Sequence, residues 1–151
     1  VVAANVDRYL VPLPDKLKRE IHQLVALVEH GTTPLALYGS RFTKLGSDAR
    51  EAITTWKVQE RIGAFASLVE VQPKTGRYHQ IRIHFSEMGH PIYGDRQYGD
   101  RQDPIHVTRH LLHAWMIELP HPSGNGTMTL KTEFPEDLSA AMKLLRRHQA
   151  G

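Results

Sequence analysis

Apolar residues recur at two different spacings along this chain, and the changes from one to the other outline a mixed domain. Pro12 and Pro14 keep the start extended. After Asp15, a natural N-cap, Leu17, Ile21, Leu24 and Val28 return at helical intervals, and Gly31 is a natural stop. This predicts a first helix. The stretch from Thr32 to Ala49 reads as a loop carrying Gly39, Gly46 and the basic pair Arg41 and Lys44, with one short strand around Leu35 to Tyr38. Ala52 to Gln59 and Ala64 to Val71 are rich in β-branched and aromatic residues, and Glu60 to Gly63 between them suit a hairpin turn. Tyr78 to Met88 admits two readings. Ile81, Ile83 and Phe85 alternate as in a strand, while Ile81, Phe85 and Met88 also share a helix face. Gly89 ends this element and Pro91 breaks it. Leu111 to Leu119 and Thr127 to Thr132 are strand-like around a turn rich in Pro, Gly and Asn. Glu136 to His148 places Leu138, Ala141, Met142 and Leu145 on one helix face. The predicted order is helix, strands, helix, strands, helix: an α+β domain with a mixed, mostly antiparallel sheet and packed helices.

Composition narrows the class without naming it. The 151 residues, 40% hydrophobic and 23% charged, suffice for one domain with a core of its own. No apolar run approaches the roughly 18–20 residues of a membrane span, and the first residues lack the basic start and apolar stretch of a signal peptide. Cysteine is absent, so no disulfide or thiolate metal site exists, which fits a reducing, cytoplasmic setting. Nineteen Lys and Arg against 16 Asp and Glu give a net charge of +3, a balance compatible with an RNA partner. Ten histidines add positive charge below about pH 6.5.

Candidate chemistry is concentrated between Lys74 and Gly99, KTGRYHQIRIHFSEMGHPIYGDRQYG. Arg77, His79, Gln80, Arg82 and His84 crowd into eight residues behind a glycine turn, and two further glycine turns follow. Polar groups this dense are costly to bury unless paired, so they mark a site or a hydrogen-bonded scaffold. Arg82 is the leading functional candidate, because arginine is a rigid, always charged fork that fits a carboxylate or phosphate. We expect it to face a cleft shared with Gln80 and Arg77. His79 reads as a hydrogen-bonding structural group ahead of a general base, and His84, His90, His113 and His121 likewise. His79 and His84 stand one residue too far apart for the zincin helix spacing, and no metal is expected. Asp95 is a tempting nucleophile, but Asp beside Gly commonly caps a turn through backbone amides. Lys74, Arg77, Arg96, Arg101 and Arg109, with Arg41 and Lys44, are candidate phosphate contacts.

GRYHQIRIH followed by GHPIYGDRQYG closely resembles the RluA-type pseudouridine synthases, in which G-R-x-H-Q-[IL]-R-x-H leads into G-H-P-[IL]-x-G-D and then Y-G. Flanking segments agree: REAITTWKVQERIGAFASLVEVQPKTGR before the motif, then LLHAWMIELPHPSG and FPEDLSAAMKLL after it. The likeness runs from about Asp48 to Leu145, with residues 1–47 a weakly matched lead-in. It implies a helix over Tyr78 to Met88, fed by a turn at Gly76 and Arg77. It also implies isomerisation of uridine to pseudouridine in tRNA or rRNA, without cofactor or metal. Arg82 would orient the catalytic aspartate, and Arg77, His79 and Gln80 would lie toward the RNA. Gly76, Gly89, His90, Pro91, Gly94, Asp95, Tyr98, Gly99 and His113 would be motif residues of the fold.

One departure matters. The family's catalytic aspartate lies in an upstream H-R-L-D-x-x-T-S-G motif, and this chain has no such string; Asp7-Arg8 and Asp15-Lys16 do not match it. A second element, K-x-Y-x-A-x-V-x-G, supplies an active-site tyrosine. LVALVEHG (Leu24 to Gly31) parallels it faintly, with Leu24 in the tyrosine position and no lysine before it, and we read the likeness as coincidental. The chain is therefore expected to resemble the C-terminal half of a catalytic domain without its nucleophile, inactive alone. Its open apolar face would then be covered by the missing N-terminal segment or another chain. The alternative is an inactive RNA-binding or ribosome-associated homologue.

Overall fold

The computed structural model describes residues 23–29, 38–43, 51–63, 66–99 and 105–149. Six strands form one sheet: β1 (Gln23–Glu29), β2 (Tyr38–Thr43), β3 (Ala52–Ile62), β4 (Ala66–Pro73), β5 (Leu112–Pro120) and β6 (Thr127–Lys131). Their order is β2-β3-β4-β1-β5-β6, and every pairing is antiparallel. Two helices accompany them, α1 (Gln80–Glu87) and α2 (Glu136–Gln149).

The first predicted helix is corrected over its second half. Gln23–Glu29 is a strand between β4 and β5, with Leu24 opposite Val71 and Ala26 opposite Leu112. Leu24, Val25, Ala26, Leu27 and Val28 form a continuous apolar run. Such a run is what a central strand shows when the sheet carries apolar layers on both faces, and helical intervals fall within it by default. Asp15, Leu17 and Ile21 lie outside the described residues. The short strand expected around Leu35 to Tyr38 is also corrected: β2 runs Tyr38–Thr43, through Gly39 and Arg41 of the expected loop, and Leu35 to Leu37 lie outside the described residues. The other expectations stand with small shifts of boundary. Strand β3 runs to Ile62, beyond the turn expected from Glu60, and the ambiguous Tyr78 to Met88 segment is helical at Gln80–Glu87.

Each face of the sheet carries a helix, and β3 contributes to both cores. Adjacent residues of a strand point to opposite faces. Val69 and Val71 therefore belong to one face, and Ala66 and Leu68 to the other. The first face meets α1, where Ile81 and Phe85 join Trp56, Val58, Ala26, Ile92 and Leu112. The second meets α2, whose Leu138, Ala141, Met142 and Leu145 pack on Ile62, Ala66, Leu68, Tyr93 and Leu111. A bulge between Val58 and Glu60 flips the parity of β3, so one strand gives Trp56 and Val58 to the first core and Ile62 to the second. Helix α1 thus sits wedged between Trp56, whose ring meets Phe85 edge-on at 5.9 Å, and the polar loop that follows it. The opposite end of the sheet is less covered: β5 is only partly buried from His113 to Leu119, and most of β6 is exposed.

Phe85 is fully buried at the centre of the first core. Phe85→Ala is expected to lower the unfolding free energy by about 3–5 kcal/mol, read from the urea midpoint. A loss below about 1 kcal/mol would show that α1 is not anchored through this ring.

Candidate active site

The turn into α1 is held by an amide with nothing left over. Gln80 Nε2 donates to the Ile53 carbonyl at 2.8 Å and to Thr54 Oγ1 at 2.9 Å, while its Oε1 accepts from the Thr75 hydroxyl at 2.7 Å and the Arg77 amide at 3.1 Å. Thr75 Oγ1 also accepts the Ile53 amide at 2.9 Å, and His84 Nδ1 meets Thr54 Oγ1 at 2.9 Å. Two donors and two acceptor positions exhaust the capacity of a glutamine amide. The Gln80 amide is therefore committed to the scaffold, and the expectation that it faces the cleft is corrected. His79 begins the helix with φ 51° and ψ 21°, a left-handed conformation costing roughly 1–2 kcal/mol in a non-glycine residue. Its Nδ1 lies 3.1 Å from the Tyr98 hydroxyl.

At the other end, α1 closes in a Schellman turn. The His90 amide reaches back to the Phe85 carbonyl, and the Gly89 amide to that of Ser86, both at 2.9 Å, with Gly89 at φ 76°. This reverses the chain so that Ile92 and Tyr93 enter the two cores and Asp95 arrives beside Arg82. Gly94 has φ 75°, and a Cβ there would strike the Arg109 carbonyl, so only glycine fits.

Arg82 and Asp95 form a buried two-pronged ion pair. Arg82 Nε donates to Asp95 Oδ2 and Nη2 to Oδ1, each at 2.7 Å, and the two side chains are only 8% and 0% exposed. Asp95 Oδ1 also accepts the backbone amides of Gln97 and Tyr98 at 3.1 Å. Tyr98 lies under the guanidinium, with Arg82 Cζ 4.9 Å from its ring centre. Burial pushes the Asp95 carboxyl upward, but the hydrogen bond from Arg82, the Tyr98 amide and the Arg82 charge outweigh it and hold it below the usual carboxylate range. The turn-capping reading of Asp95 is the one the geometry fits, and a side chain 0% exposed presents no open face to a substrate.

Arg82 lines an open cleft of about 320 Å³ with Gly94, Arg96, Gln97, Thr108, Arg109 and His110. Arg77 does not line it; it is exposed at the helix entrance. Arg109 is not available for phosphate. Its Nε and Nη2 hold Asp137 at 2.6 and 2.8 Å, and Nη1 donates to the carbonyls of His110 and Leu112, tying the first turn of α2 to the start of β5. Arg96 is exposed at the cleft mouth, and Lys74 donates to Gln72 on the surface. Lys44 and Arg101, and the side chain of Arg41, lie outside the described residues. His110, which the sequence gave no reason to single out beside His113, faces the cleft, where burial and then the Arg82 charge hold its imidazole below the usual value. His113 is held low first by burial and then by Arg109. His90 is buried, Pro91 and Gly99 partly so, and Gly76 is exposed in the turn. Among the described residues, no group of His, Asp and Glu could hold a metal ion.

A family model described as RNA pseudouridylate synthase matches residues 8–87, more than half of the chain. The chain belongs to this family, in its RluA-type branch. An RNA pseudouridine synthase of unassigned character from Chloroflexus aurantiacus is 38% identical over 99 residues, 66% of this chain and 31% of that protein. The ribosomal large subunit pseudouridine synthase C of Escherichia coli K12 is 36% identical over 115 residues, 72% of this chain and 36% of that protein. The chain thus spans about a third of the length of the curated relatives it matches. In fold it is similar to human RNA pseudouridylate synthase domain containing 4, with TM-score 0.68 and 22% identity over 83% of this chain and 62% of that one. Human RNA pseudouridylate synthase domain containing 1 gives 0.60 at the same identity, over 83% of this chain and 65% of that one. The pseudouridylate synthase match begins well ahead of Asp48 and takes in β1, so LVALVEHG falls inside the family's alignable part. Its upper end lies in α1, so Gln80 and Arg82 are within it and Asp95 is beyond it.

The pair sets two expectations. Arg82→Met leaves a buried, unpaired carboxylate and should cost about 3–5 kcal/mol in urea denaturation at neutral pH. Adding Asp95→Asn removes the charge while keeping an oxygen for the Gln97 and Tyr98 amides, and should recover most of that loss. If the double variant were no better than the single, the pair would not be the source of the cost. Because the folded Asp95 carboxyl titrates below its unfolded value, the unfolded chain takes up the proton first as pH falls. The pair's contribution is complete above the ordinary aspartate range, near pH 4, and drains away below it. Asp95→Asn should lack that part of the acid loss.

Proposed function

We propose that the protein to which this chain contributes isomerises uridine to pseudouridine in a structured tRNA or rRNA. The reaction breaks the N-glycosidic bond, rotates the base and joins it to the sugar through carbon. Atoms balance without oxidant, reductant or co-reactant, so no cofactor is required. The observation that carries this reading is the Arg82–Asp95 pair at the cleft wall, formed by the two motifs that mark the family. Arg82 is held on one edge by Asp95 and lines the cleft; from there it fixes a positive charge where a catalytic carboxylate has to stay ionised and oriented. The target uridine leaves its stack to reach that cleft. RNA is the partner, and Arg77, Arg96 and Lys74 supply exposed charge for its phosphates.

The nucleophile is not among the aspartates of this chain in the family's sequence context, and Asp95 is occupied. The 151 residues alone are therefore inactive, and a segment carrying the nucleophile completes the site. A second reading, an RNA-binding homologue without chemistry, rests on that same missing motif.

A pseudouridine assay on tRNA and rRNA separates the two. The chain alone should give no product, and the complete gene product should turn over. No product from the complete protein would favour the binding homologue, and product from the chain alone would return Asp95 to the centre of the chemistry. In the active protein, Arg82→Ala should lower turnover about a hundredfold or more with little change in RNA affinity. A loss confined to affinity would contradict the role given to Arg82.

A further inference from the structure

Tyr78 is the most exposed large hydrophobic side chain of the described residues, at 68%, yet its ring is not loose. It lies on the ring of His79, with centres 3.7 Å apart and planes inclined by 23°. Consecutive side chains diverge around a helix and point to opposite faces of a strand, so neighbouring rings stack only where the backbone leaves both patterns. His79 provides that departure: it is the one non-glycine residue of positive φ among the described residues. Such a conformation persists only where its surroundings over-determine it. The Tyr98 hydroxyl meets His79 Nδ1, the Tyr98 ring packs against the imidazole edge-on at 5.5 Å, and Gln80 fixes the Arg77 amide just ahead of Tyr78. The outcome is a rigid two-ring stack, His79 inside and Tyr78 outside, and among the described residues no other ring lies on Tyr78.

We propose that the outer face of Tyr78 is a stacking platform for an unpaired RNA base next to the uridine that enters the cleft. The inference rests on the RNA reading above and adds a binding residue to it. Sequence-tolerant recognition of single-stranded RNA stacks successive bases on aromatic rings beside cations that meet the phosphates. Arg77, exposed and adjacent in the chain, supplies such a cation, which favours a nucleotide over an aromatic peptide side chain. The platform is also continuous with the site: Tyr78 lies on His79, His79 meets Tyr98, and Tyr98 carries the Arg82 guanidinium that lines the cleft. A base held on Tyr78 therefore lies at one end of an unbroken line of ring contacts leading to the cleft. A ring already fixed by stacking loses little freedom when a base settles on it.

The test is binding of a short oligouridylate carrying one 2-aminopurine to the full chain and to Tyr78→Ala, Tyr78→Leu and Tyr78→Phe. Tyr78→Ala and Tyr78→Leu should each weaken binding about tenfold and abolish the stacking change in 2-aminopurine fluorescence. Tyr78→Phe should stay within about twofold of the unaltered chain, because stacking needs the ring and not the hydroxyl. The dependence of affinity on salt should be the same for all four, since no phosphate contact is lost. The platform is refuted if Tyr78→Leu binds as well as the unaltered chain, if Tyr78→Phe loses as much as Tyr78→Leu, or if the salt dependence changes. If the unaltered chain binds no RNA, the RNA reading itself falls; if it binds and is indifferent to Tyr78, only the platform does.

Discussion

Everything around the candidate site is arranged so that a buried arginine can meet a buried aspartate. Taking two charges out of water costs several kcal/mol each, and only close geometry with further hydrogen bonds offsets that cost. Asp95 receives four such bonds, two from Arg82 and two from the backbone of Gln97 and Tyr98. The chain has to be turned to allow this. Gly89 ends the helix in a left-handed residue, Ile92 and Tyr93 anchor the return into the two cores, and Gly94 passes a carbonyl too closely for any side chain. The motif glycines, the aspartate and the arginine are thus one geometric requirement spread over fourteen positions of sequence.

A second polar network holds the near end of the same helix. Thr54, on β3, lies beneath both Gln80 and His84, so the helix is tied to the sheet by hydrogen bonds where its apolar face gives out. Phe85 and Ile81 supply the burial, and Gln80 supplies the register. Arg82 thus projects from a helix held by hydrogen bonds at both ends. A charge that is already positioned needs no rearrangement when a reacting carboxylate comes beside it, which is the physical value of such a residue in catalysis. The strained His79 belongs to the same scheme, because its backbone sets the direction in which the exposed ring of Tyr78 faces.

Much of this was legible in the sequence, and the failures have definite causes. The α2 helix followed directly from Leu138, Ala141, Met142 and Leu145, since its one buried face matches the helical period. The strands β3 and β4 were recovered from their β-branched residues, but the bulge that lets β3 serve two cores left no mark in the pattern. The central strand β1 was misread because a continuous apolar run satisfies helical spacing as easily as strand burial. At the site, Arg82 and the capping nature of Asp95 were readable from residue type. That they bind each other was not, since the pairing depends on a chain reversal and not on spacing. Gln80 and Arg109 were misplaced for a related reason: a polar side chain shows its chemistry in sequence but not whether neighbours have already used it. His110 reaches the cleft through the tertiary fold alone.

The most direct test of this account is the acid titration of the Asp95 carboxylate, followed by its carbon chemical shift in the folded chain. The account predicts a midpoint below the ordinary aspartate range, and a clear rise in Arg82→Lys, whose single ammonium cannot reproduce the two-pronged contact. A midpoint at or above the ordinary range, unmoved by that substitution, would mean that Arg82 and Asp95 are not a committed pair. The description of Asp95 as scaffold and not nucleophile would then fail with it.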